Sequence, residues 1–168
     1  GFGGAGNAIL NFLKKLNKKK FNIHIIYIGK SVYKKYLPNH VKVLQIDNSF
    51  FFLKTFFSFF EIRKIISKKI KQNKNNLFIS NIHYSNILTI IFLRNLNNLK
   101  IFLFERTSLK ELDIYFSFFS FIKNKLIKFL IKIFYKYADR IYSNSLTSKK
   151  EFADIGLKSR VIYSGSIT

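Results

Sequence analysis

Four groups of residues in this chain are of types that can hold an anion or a hydroxylated ligand. The first is the opening Gly1, Phe2, Gly3, Gly4, Ala5, Gly6, which satisfies G-x-G-x-x-G. A glycine turn feeding a helix leaves backbone N–H groups unpaired, and small side chains let a phosphate approach them. Gly3, Gly4 and Ala5 would make that contact, or would simply form a tight turn without a ligand. A dinucleotide fingerprint demands more: a strand just before it, and a carboxylate about 20 residues on at the end of the second strand. Tyr27, Ile28, Gly29 and Lys30 stand there instead. A ribose hydroxyl would have no partner, so phosphate contact is favoured over a nicotinamide dinucleotide.

The other groups each follow an apolar run. His83 follows residues 77–82 and could hydrogen-bond ligand hydroxyls, although a lone loop histidine is often incidental. Glu105, Arg106 and Thr107 follow residues 99–104. Arg106 could clamp a phosphate, and Glu105 could orient it or accept a proton from a hydroxyl. The competing reading is an internal Glu–Arg–helix cap network, with Thr107 or Ser108 as N-cap and Glu111 completing a capping box. Asn144 and Ser145 follow residues 139–143; they line a cleft, or Ser145 caps the next helix. His24 and His40 carry no role. With no cysteine, and three histidines far apart, the sequence presents no metal-ligand spacing.

The elements that must position these groups alternate. Strands are expected at 22–29, 41–46, 77–82, 99–104, 139–143 and 160–163, all continuous apolar runs rather than alternating ones. Helices are expected at 3–16, about 49–71, 85–96, about 111–137 and 147–155, the last closed by Gly156. Continuous apolar strands separated by helices indicate a parallel sheet covered on both faces, an α/β, Rossmann-like fold in a single domain. Gly3–Gly4, His83, Glu105–Arg106 and Asn144–Ser145 would then gather at one carboxyl edge, where ligand sites of such sheets lie.

Composition sets the outer limits. The 168 residues carry 30 basic and 8 acidic side chains, a formal charge of +22, with 48% hydrophobic and 18% aromatic residues. That is too apolar for a disordered polybasic tail. Only Arg63, Arg94, Arg106, Arg140 and Arg160 are arginine; the rest are lysine, accompanied by much Ile, Phe and Asn. An AT-rich coding sequence produces that bias, which is the first reading of the charge. A nucleic-acid reader would lean on arginine, so a nucleic-acid partner is not expected. The 114–137 stretch carries five lysines, which argues against a membrane span. Lys125, Lys128, Lys132 and Lys136 form one basic stripe, expected either as the solvated face of a helix packed on the sheet or as a face resting on an anionic leaflet. The chain contains no methionine and reads as a piece of a longer protein.

The ordered blocks resemble family 4 glycosyltransferases. "GFGGAGNAILNFLKKLNKKKFNIHIIYIG" is similar to that family's opening Gly-Gly-Ala turn, helix and second strand. "LFISNIHYSNILTIIFL", "KIFLFERTS" and "LIKIFYKYADRIYSNSLTSKKEF", then "RVIYSGSIT", continue the likeness to the interdomain linker. Gly6 and Ser164 depart from it, standing where relatives often have a polar residue and Asn. The resemblance implies the amino-terminal, acceptor-side half of a two-domain retaining GT-B enzyme, lacking its first strand and its carboxy-terminal donor domain. It further implies a nucleotide-sugar donor, held mainly by the other half, and a glycan or polyprenyl-linked acceptor for envelope polysaccharide. No metal or other cofactor is implied. The setting would be cytoplasmic, at the inner face of the membrane. Glu105 and His83 would be catalytic. Gly3, Gly4, Ala5, Arg106, Thr107, Asn144 and Ser145 would bind substrate or phosphate. The 168 residues alone would transfer no sugar.

Overall fold

The computed structural model describes residues 4–29, 34–46, 54–70 and 74–163. The chain divides into two compact units, Gly1–Ile62 with Gly165–Thr168, and Arg63–Ser164. In the first unit α1 (Gly4–Lys15) precedes two parallel strands, β1 (His24–Ile28) and β2 (Lys42–Ile46), paired from His24↔Lys42 to Ile28↔Ile46. Gly29, at φ 85°, turns the chain out of β1 while its N–H still reaches Ile46 O at 2.9 Å. Leu10, Leu13, Val41, Ile46, Phe59 and Ile62 are buried here. The helix α2 (Lys54–Lys69) crosses from the first unit into the second.

The second unit holds a four-stranded parallel sheet in the order β3 (Asn76–Asn81), β4 (Leu99–Glu105), β5 (Arg140–Ser143), β6 (Arg160–Val161). Parallel neighbours require crossovers. These are α3 (His83–Leu93), α4 (Phe118–Phe134) and α5 (Leu146–Asp154). Helix α3 packs on β3, β4 and α4, and α5 packs on β5 and β6. The core is Ile90, Leu93, Ile101, Leu103, Ile131, Tyr135 and Phe152, all essentially inaccessible. Each such side chain contributes about 1.5–3 kcal/mol by leaving water. Asp139 pins the start of β5 to β4: its Oδ2 accepts from Ile101 N at 2.8 Å, and its own N–H donates to Ile101 O at 3.0 Å. Arg63 Nη1 donates to Phe92 O near the end of α3.

The fold is thus the parallel α/β, Rossmann-like arrangement that the apolar runs indicate. Two features differ in detail from the sequence reading. The described strands form a parallel pair and a parallel set of four, where the sequence indicates one sheet. The expected helix over about 111–137 is broken into a 3-10 helix at Leu109–Asp113, an extended stretch, α4, and a 3-10 turn at Tyr135–Tyr137. The cause is local: Ser117 Oγ accepts from Ser120 N at 3.2 Å, and Ser120 Oγ accepts from Ser117 N at 3.0 Å. This reciprocal cap starts a new helix inside an uninterrupted apolar run. Gly156, at φ 80°, closes α5, with Gly156 N–H on Ala153 O and Leu157 N–H on Phe152 O, both at 2.9 Å.

Candidate functional site

The carboxyl ends of β3, β4 and β5 bring His83, Glu105, Arg106, Thr107, Asn144 and Ser145 to one rim of the four-stranded sheet. At β3 the chain passes from strand to helix in one residue. Ile82 makes the turn at φ 75°, a conformation that β-branched side chains rarely adopt, while its N–H holds Phe104 O at 3.3 Å. Ile82 is the N-cap of α3 and supplies no side-chain acceptor. The first N–H groups of α3 therefore lack the usual side-chain partner at the electropositive end of the helix.

His83 is the first residue of that helix and is only 8% exposed. Its Nδ1 lies 2.7 Å from Glu105 Oε2, a close polar contact that is not aligned as a hydrogen bond. Nε2 is buried with no partner among the described residues. Glu105, 1% exposed, is surrounded by donors. Tyr135 OH donates to Oε2 at 2.6 Å, Asn86 Nδ2 to Oε2 at 3.3 Å, and Thr107 Oγ1 to Oε1 at 3.3 Å. Asn86 Nδ2 also reaches Phe104 O at 3.1 Å. Burial, then the Glu105 charge, pushes the Tyr135 phenol well above its ordinary range, so it remains the donor of its pair. The internal network weighed for this region exists, but it runs through His83, Tyr135, Asn86 and Thr107 rather than through Arg106.

Arg106 makes no ion pair among the described residues, and its Nε is buried without a partner. Partial burial lowers the guanidinium's pKa, yet an arginine retains its charge. Its carbonyl accepts from Asn144 Nδ2 at 2.7 Å, which ties the loop after β4 to the loop after β5. Ser145 caps α5: its Oγ accepts from Ser148 N at 3.1 Å. Ser108 caps the 3-10 helix with Glu111, as the S-x-x-E spacing indicates. Gly4 and Ala5 open α1 in the other unit, and Gly3 lies outside the described residues.

Asn86 and Tyr135 are the members that sequence reasoning missed. A polar Asn86 amid the apolar residues of 82–93 was a usable signal. Tyr135, one aromatic among several, gave none. At this rim the uncapped N–H groups of α3 lie with a buried imidazole nitrogen and an arginine Nε, neither with a partner among the described residues. Two clefts of about 330 Å³ open elsewhere in the unit, one lined by Ser67, Ile70, Leu96, Asn97 and Asn98, the other beside α4. Among the described residues no three His, Asp or Glu side chains cluster as metal ligands. No protein-family model matches this chain, and no curated protein matches it.

Proposed function

We propose that the rim at β3, β4 and β5 binds a phosphate-bearing ligand, as a nucleotide-binding α/β module does. One observation carries the reading: His83 opens an uncapped helix, with Nδ1 held against buried Glu105 and Nε2 without a partner among the described residues. The contact with Glu105 holds the ring in place, and Nε2, where it carries a proton, can donate to a phosphate oxygen. Arg106, next along the chain from Glu105, supplies the charge. The test is titration of the whole chain with pyrophosphate and with a nucleoside diphosphate, followed by NMR at the amides of residues 83–86 and the His83 ring. Both His83→Gln and Arg106→Gln should weaken binding about tenfold, the loss of one charge-assisted hydrogen bond. Unchanged affinity in both variants would overturn the reading.

A finer reading is that the phosphate belongs to a sugar-transfer reaction. The ordered likeness to family 4 glycosyltransferases supports it, together with the Glu105-Arg106-Thr107 triplet at a strand end. In a complete enzyme an acceptor hydroxyl would attack the anomeric carbon of a nucleotide sugar as the diphosphate leaves, with retention of configuration. Positioning and charge stabilisation would supply most of the rate. Glu105, enclosed by its donors, would then act through His83 as a positioning residue, while Arg106 and the α3 N-terminus would face phosphate. The reaction would take place in the cytoplasm, at the inner face of the membrane. Residues 1–168 alone should release no sugar from UDP-glucose or GDP-mannose; measurable transfer by this polypeptide would refute the division of labour.

A further inference from the structure

We propose that α4 and the residues leading into it form a surface that rests on an anionic lipid bilayer. Helix α4 has two apolar faces. Asn124 and Ile131 are buried and mark the face turned into the unit. With about 100° between successive residues, Phe118, Phe119, Ile122, Leu126 and Phe129 fall in one sector on the opposite side. They are 73%, 84%, 48%, 53% and 59% exposed, and Phe116, just before the helix, is 96% exposed. The same geometry places Lys125 and Lys132 along one border of this sector and Lys123 along the other. The sequence stripe of lysines is therefore not the whole outer face, because a second apolar stripe lies out there beside it.

Charge decides the occupant. Helix α4 contains four lysines and no acidic residue, in a chain of net charge +22. A second copy would bring the same lysines against these. A nucleic acid would engage the lysines and leave five apolar side chains in water. An anionic bilayer satisfies both, with the phenylalanines at the acyl boundary and the lysine stems reaching back to the headgroups. The cleft of about 330 Å³ bordering the stripe is lined by Lys110, Lys128, Phe129 and Lys132, with Glu151 and Asp154. Lys128 is engaged by Asp113 and Glu151 accepts from Ser108, so Lys110 and Lys132, beside the Asp154 carboxylate, are the cations this cleft offers a lipid headgroup. No helix among the described residues is long and apolar enough to cross a membrane, so α4 would lie in the interface plane. This inference does not rest on the phosphate rim.

The experiment is co-sedimentation of the whole chain with vesicles of phosphatidylcholine alone and of phosphatidylcholine with one quarter phosphatidylglycerol. Partitioning should be at least tenfold stronger on the anionic vesicles, and the triple change Phe118→Ser, Phe119→Ser, Phe129→Ser should remove most of it with the far-UV circular dichroism unchanged. Because the chain has no cysteine, Leu126→Cys can carry a polarity-sensitive dye, which should shift blue on anionic vesicles; the same dye at Lys149→Cys on α5 should not. Equal binding to both vesicles, anionic binding untouched by the triple change, a Leu126→Cys dye that stays in water, or a parent dimer that the triple change dissolves would each overturn the proposal.

Discussion

Glu105 and Glu151 are both more than nine-tenths buried in the four-stranded unit, and the groups around them differ in kind. Glu151, 7% exposed, accepts from Ser108 Oγ at 2.7 and 2.9 Å and from Leu109 N–H at 2.7 Å. Its neighbours are a hydroxyl and a backbone amide, and both bonds serve to seat the 3-10 helix against α5. Glu105 instead faces an imidazole, a phenol, a carboxamide and a hydroxyl, and one of these, His83, has a nitrogen at the start of a helix with no partner among the described residues. A buried carboxylate that ends in backbone is a fastener. One that ends in a titratable group with an open valence can hand its orientation on to something outside the protein.

The largest expected effect tests that distinction directly. Glu105→Ala strands Tyr135 OH, Asn86 Nδ2 and His83 in the interior, and should lower unfolding stability by about 3–5 kcal/mol in urea titrations. Glu151→Ala should cost about 2 kcal/mol, because Ser108 and Leu109 sit nearer water. It should also leave pyrophosphate affinity unchanged. A larger loss at Glu151, or a loss of ligand there, would reverse the comparison. Tyr135→Phe should cost about 1–2 kcal/mol and carry a pH signature. The folded phenol titrates above the unfolded one, so its stabilisation is whole below about pH 10 and declines as pH rises further. The parent should therefore lose stability on the alkaline side faster than Tyr135→Phe does. Smallest is the exposed pair of Asp113 and Lys128. The lysine's hydrogen bond holds the Asp113 carboxyl below its ordinary range. Its contribution is present at neutral pH and fades as pH falls into the acid range. Asp113→Asn should change stability by no more than a few tenths of a kcal/mol, and salt should erase the difference.

Much of the rim was legible because its signals are local. A continuous apolar run that stops at a polar triplet marks both a buried strand and the edge where it ends, which is how Glu105, Arg106 and Thr107 could be placed. Ser108 with Glu111, Ser145 before α5 and Gly156 after it follow from cap chemistry within a few residues. The break before α4 was harder to see. Phe116, Phe118 and Phe119 continue the apolar pattern, so hydrophobic periodicity indicates core where the chain in fact presents surface. The Glu105 network could not be read at all beyond its first members. Tyr135 is 30 residues from Glu105 in sequence, and only the pairing of β4 with β5 brings the end of α4 back to it. Gly3 lies outside the described residues, and Gly4 and Ala5 stand in the other unit, so the opening glycine pattern remains an expectation of the sequence.

The parallel pairing of the described strands also governs how this protein is made. Asn76 must find Leu99, and Phe102 must find Arg140, across an intervening helix each time. None of the described strand pairs can zip up from a tight turn, so the loop-closure entropy is lost before these ladders form and folding is slow for a chain of this size. During that interval β3, the end strand of the four-stranded set, offers an edge for pairing with other copies. Yield on refolding should fall steeply with protein concentration, and production should respond to a holdase chaperone more than to any mutation that raises equilibrium stability.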